Sequence, residues 1–121
     1  MFQTRSRLQQ QLHLRLALRL HPYAPGYFET DLGLSLYMQR RYQDVVTHFS
    51  QSGRAFSESP APHAILAASY AQLGRGTEAS AAVRRVKSIY PFFNSGRFAL
   101  NNVGEEAAPL LLEGLHKAGL D

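Results

Sequence analysis

The feature that most constrains this chain is that it repeats itself. Leu32, Gly33, Leu36, Arg41, Val45 and Phe49 return as Leu66, Ala67, Tyr70, Arg75, Ala79 and Val83, each pair 34 residues apart. A period of this length belongs to architectures in which one supersecondary unit stacks on the next, because a single unit cannot bury its own apolar face. The spacing predicts an all-α fold, with helices over 25–39, 42–54, 62–73 and 77–90. These pair into a first repeat at 25–59 and a second at 60–93.

In the second copy each repeated residue has a mechanical reason. Ala67 and Ala79 are small where two helices cross closely, Gly74 ends the first helix, and Pro91 closes the second. The first copy departs at several positions and is expected to pack less regularly. Arg40 replaces the turn glycine, Val45 replaces the small alanine and Ser57 replaces the closing proline; against the tetratricopeptide pattern that these positions resemble, Glu29 also stands where a large aromatic is usual.

Leu66, Ala67, Tyr70, Leu73, Gly74, Ala79, Val83, Val86, Ile89 and Pro91 together resemble the tetratricopeptide repeat. The resemblance implies one domain over 1–121, a segment of right-handed α-solenoid with a cap at each end. It also implies that the first helices of the two repeats line a concave surface for a protein or peptide partner. The positions it assigns to that surface are Tyr27, Asp31, Leu34, Tyr37 and Met38 in the first repeat, then Ile65 and Gln72 in the second. Asp31 occupies, with the wrong sign, a place where co-chaperone repeats carry a basic clamp for an acidic peptide end. The expected partner is therefore an apolar helix or strand, or else the chain's own N-terminal segment covers the face.

Further phrases narrow the likeness. Leu-Arg-Leu-His-Pro-Tyr at 18–23, Arg41-Tyr42, Ile-Leu-Ala-Ala-Ser-Tyr-Ala-Gln-Leu-Gly at 65–74 and the closing Glu-Gly-Leu-His-Lys-Ala-Gly-Leu at 113–120 resemble the C-terminal repeat region of large bacterial adenylate or guanylate cyclases and related transcriptional regulators. What this implies is an accessory role as an adaptor, since neither a cyclase nor a DNA-binding domain is encoded here. A small repeat-type secretion chaperone is the alternative.

Outside the two repeats, Ala17, Leu18, Leu20 and Pro22 fit the end of a repeat's second helix, so 4–20 reads as a half-repeat or capping helix. Leucines at 12, 14, 16, 18 and 20 alternate as in a strand, but leucine, glutamine and arginine favour helix. On a helix these leucines cover too wide an arc for one neighbour. Leu8, Leu12, Leu14, Leu16 and Leu18 are accordingly assigned to self-association as a homodimer. Residues 94–121 form the C-terminal cap. Its helix is expected over 104–118 or from Pro109 onward, after an irregular or helical link at 92–103.

The net charge of +4 comes from the N-terminus. Arg5, Arg7, Arg15 and Arg19 lie in 1–22 with no acidic residue, and the remaining basic and acidic groups balance. The plain reading is the solvated face of a helix, with a targeting peptide or a membrane-surface helix as alternatives. Cysteine is absent and no apolar run is long enough to span a membrane, so a soluble cytoplasmic chain is expected.

Chemistry is hard to build from what remains. The five histidines fall on different expected elements, which leaves no pair spaced to hold a metal. Asp44 and His48, four apart, form at most a surface pair without a serine to activate. No catalytic residue, metal or cofactor is expected. Arg84, Arg85 and Lys87 raise phosphate binding, but Phe92 and Phe93 read as a plug over the core's end, and nucleic acid is not an expected partner.

Overall fold

The computed structural model describes residues 25–51 and 59–121, with side chains from Glu29 onward. Five helices follow one another: α1 (Pro25–Met38), α2 (Tyr42–Gln51), α3 (Pro60–Gln72), α4 (Gly76–Ile89) and α5 (Ser95–Ala118), with no strand among the described residues. The all-helical expectation is met. The expected helix over 4–20, residues 52–54 of the second helix and Ser57 lie outside the described residues.

The 34-residue period is present as geometry. After α1, the Arg40 N–H donates to the Tyr37 carbonyl at 2.8 Å and the Arg41 N–H to the Leu36 carbonyl at 3.0 Å. After α3, 34 residues on, Gly74 donates to Ala71 at 3.1 Å and Arg75 to Tyr70 at 2.9 Å. Both turns are Schellman closures, which need a left-handed residue at their centre. Gly74 has φ 75° and Arg40 takes φ 61° in its place. The same arginine then pairs with an acid three residues later in each copy: Arg41 with Asp44 at 2.7 Å, and Arg75 with Glu78.

Helix crossings repeat too, with the volumes redistributed. Gly33 lies against the Phe49 ring so closely that a Cβ there would overlap it. The equivalent pair is Ala67 and Val83, one atom larger on one side and a ring smaller on the other, and both are buried. Val45 and its counterpart Ala79 are equally buried, so the bulkier residue is absorbed in the first hairpin.

At the centre is α3, which touches all four other helices. It holds Ala64, Ala67, Ala68 and Ala71, all buried, because a helix enclosed from several sides can be approached closely only if its side chains are short. Ser59 in extended conformation and Pro60 in the first turn start it, where the missing proline N–H is no loss.

In the C-terminal cap, the link before the expected helix takes the helical one of its two readings. Residues 95–103 are helical, opened by the Asn94 side chain accepting from the Arg97 N–H at 2.8 Å. Gly104, at φ 81° and ψ 172°, breaks α5 into two parts. A straight helix of 24 residues would separate its ends by about 36 Å. Here they meet: Ser95 Oγ donates to the Leu120 carbonyl at 2.8 Å and the Ser95 N–H to that of Asp121 at 3.2 Å. The cap is therefore bent back on itself, and Pro109 falls in its second part.

Candidate functional site

The residues assigned to a concave partner surface fall into three groups. Leu34, Tyr37 and Ile65 are buried, Tyr37 and Ile65 completely. Asp31, Met38 and Gln72 are half-buried. Tyr27 lies in the first turn of α1, where only the backbone is described.

The second part of α5 lies over the Tyr37 end of this face. The Tyr37 hydroxyl donates to the Leu110 carbonyl at 3.2 Å. Gly114 is where α5 comes nearest: a Cβ there would overlap the Tyr37 hydroxyl and stand 2.9 Å from the Ala68 Cβ. A short polar seam follows. Gln72 Nε2 donates to Glu113 Oε1 at 3.3 Å and lies 3.4 Å from the Tyr37 hydroxyl, while Lys117 Nζ donates to Gln72 Oε1 at 3.4 Å. The N-terminal segment, expected as a possible cover, lies outside the described residues; over Tyr37 the described cover is the C-terminal cap. Leu34, Tyr37 and Ile65 are thus core residues of this chain. The self-association residues Leu8, Leu12, Leu14, Leu16 and Leu18 lie outside the described residues.

Burial sets the electrostatics of this face. It pushes the Tyr37 hydroxyl up from 10.0 to about 12, only partly offset by the hydrogen bond with Gln72. It also raises the Asp31 carboxyl above its ordinary 3.8.

The suggested Asp44–His48 pair is not formed. Asp44 is held by Arg41, and the His48 ring turns to α1, where Nε2 lies 2.8 Å from the Glu29 carbonyl and 3.2 Å from its carboxylate. Both partners are acceptors, so Nε2 carries the proton, and the histidine joins α2 to α1. Among the described residues no group of three or more histidine or acidic side chains is placed to hold a metal ion. Nor is any helix there long and apolar enough to cross a membrane.

The expected plug at the end of α4 is half right. Phe93 is half-buried, packing on Phe98 at 5.2 Å between ring centres. Phe92 is 81% exposed, with Tyr90 beside it at 6.4 Å and Leu100 also open. Two adjacent side chains in a non-helical turn point in different directions, so only one phenylalanine reaches the core. That local rule was the available signal for Phe92. No family model, curated protein or solved structure matches this chain.

Proposed function

We propose that the chain is a protein-interaction module built on two tetratricopeptide-type repeats, and that it self-associates through its leucine-rich N-terminal segment. The observation that carries this reading is the recurrence, at a 34-residue offset, of the same turn hydrogen bonds and the same arginine–acid pair. A scaffold whose units repeat in this way presents side chains in register along an extended surface, which suits binding to another polypeptide. With Leu34, Tyr37 and Ile65 buried and α5 seated against Tyr37, the part of the assigned surface left at the edge is Asp31, Met38 and Gln72. The cyclase-like phrases make an accessory segment of a bacterial regulator the setting that fits best.

For the N-terminal segment, leucines at 12, 16 and 20 fall on one flank of a helix and those at 14 and 18 on another. A single neighbouring helix covers one flank. Two or three leucines left open, at roughly 1.5 to 3 kcal/mol each, leave on the order of 5 kcal/mol per chain, and doubling this across a symmetric contact gives a total comparable with the roughly 8 kcal/mol of a micromolar complex before association costs reduce it. Sedimentation velocity at tens of micromolar tests this part: the wild type should run as a dimer and a Leu14→Glu, Leu18→Glu variant as a monomer. A monomeric wild type removes self-association. For the wider reading, the tagged full chain should enrich a reproducible protein partner from its own cells by quantitative mass spectrometry. Enrichment of nothing beyond an untagged control would remove it.

A further inference from the structure

The stretch from α4 into α5 combines two things that soluble surfaces usually keep apart. Tyr90, Phe92 and Leu100 are 46%, 81% and 48% exposed. Between Glu78 and Glu105 there is no acidic residue, while Arg84, Lys87 and Arg97 are exposed and have no ion pair among the described residues. Lys87 and Phe92 are five residues apart, so the extended chain bounds their separation at roughly 18 Å, and the helical last turn of α4 shortens it. Over 79–104 the local sequence thus sets only basic charges beside these apolar side chains, and one acid that the fold brings to this stretch is Asp121, whose backbone oxygen accepts from the Ser95 N–H.

We propose that this stretch, through Tyr90, Phe92 and Leu100 and the cations Arg84, Lys87 and Arg97, docks an acidic segment of a partner protein that carries apolar side chains among its carboxylates. This deepens the interaction-module reading and rests on it. Three kinds of anionic partner fit a basic, aromatic surface, and the geometry separates them. A single-stranded nucleic acid stacks successive bases on rings facing the same way, but the Tyr90 and Phe92 rings meet at 74°, edge to face. A bilayer needs more apolar insertion than one open ring and two half-open side chains provide, since even a whole myristoyl chain alone binds only marginally. A protein segment asks for what is here: aromatic anchors to cover, with arginines whose planar forks match carboxylates.

The test is selection of a displayed library of random 16-residue peptides on the immobilised full chain. The selected peptides should combine Asp or Glu with Leu, Phe or Trp. They should bind at least tenfold more weakly to Phe92→Ser and to Arg84→Glu, Lys87→Glu chains, and lose affinity as salt rises. Because the replaced side chains are exposed, both variants should melt with the wild type. Peptides that bind all three chains equally would overturn this surface while leaving the interaction module standing. A library that yields nothing above empty matrix would remove both. Poly(U), or vesicles of phosphatidylserine and phosphatidylcholine, binding in a Phe92-dependent way where the peptides do not, would transfer the surface to nucleic acid or membrane and overturn the proposal.

Discussion

Gly33 and Gly114 are small for the sake of different neighbours, one against Phe49 and the other against Tyr37 and Ala68. In both places a methyl group meets a ring or a helix already fixed by the core. Gly33→Ala and Gly114→Ala are each expected to destabilise the fold by roughly 1 to 3 kcal/mol. Gly76, at the start of α4, has nothing within 4 Å of a built Cβ. Gly76→Ala is expected to be neutral or stabilising by up to about 1 kcal/mol, since it removes freedom from the unfolded chain alone. Thermal melts of the three variants check this, and a Gly114→Ala melt like that of the wild type would contradict the close approach of α5. Tyr37 gives a pH signature. The folded protein holds its phenolic proton more tightly than the unfolded chain, so this contribution to stability is intact below pH 10.0 and is lost as pH rises toward about 12. Over that window the wild type's melting temperature should fall more steeply than that of Tyr37→Phe.

At the scale of elements, the turn after α1 shows how much a short sequence can dictate. Arg40 adopts φ 61° because the two hydrogen bonds of the Schellman closure, Arg40 N–H to Tyr37 and Arg41 N–H to Leu36, form around a left-handed residue. Glycine reaches that conformation without the steric cost, though it gives the unfolded chain more freedom. Arg40→Gly is expected to raise stability by up to about 1 kcal/mol, and the same change in melting temperature should be absent from a variant at exposed Ser80. The helices of both repeats and the stops at Gly74 and Gly119 were legible because short-range chemistry places them. The opening of α5 was not. Residues 92–103 mix aromatics, asparagines and glycine without a clear helical period, and the cap that starts the helix is a single Asn94 side chain. The cover over Tyr37 was illegible for another reason. The sequence pattern marks α1 and α3 as having an apolar face, but that the second part of α5 reaches Tyr37 depends on the bend at Gly104, which is a tertiary outcome.

Across the whole molecule the arrangement sets an order of local stability. Helix α3 contacts each of the other four, and seven of its residues are buried. Exposing its amides requires several helices to leave together, which approaches global unfolding. The first part of α5 has Gly96, Arg97, Leu100, Asn101 and Asn102 open to solvent, and it ends at the break at Gly104. Its ties to the rest are Ser95, bonded to Leu120 and Asp121, and the core contacts of Phe98, Ala99 and Val103, so opening it costs those and leaves the contacts among α1, α2 and α3 in place. Native-state hydrogen exchange should find the slowest amides in α3 and faster exchange over 95–103, with the second part of α5 between them. Gly114→Ala sharpens the test, because the added methyl group presses on Tyr37 of α1 and Ala68 of α3 and leaves α4 untouched. Protection in that variant should fall over 105–118 and in the second half of α1, with α4 losing only what any drop in global stability imposes. Amides of α4 that outlast those of α3 in the wild type would mean that the helix at the geometric centre is not the one that holds the molecule together.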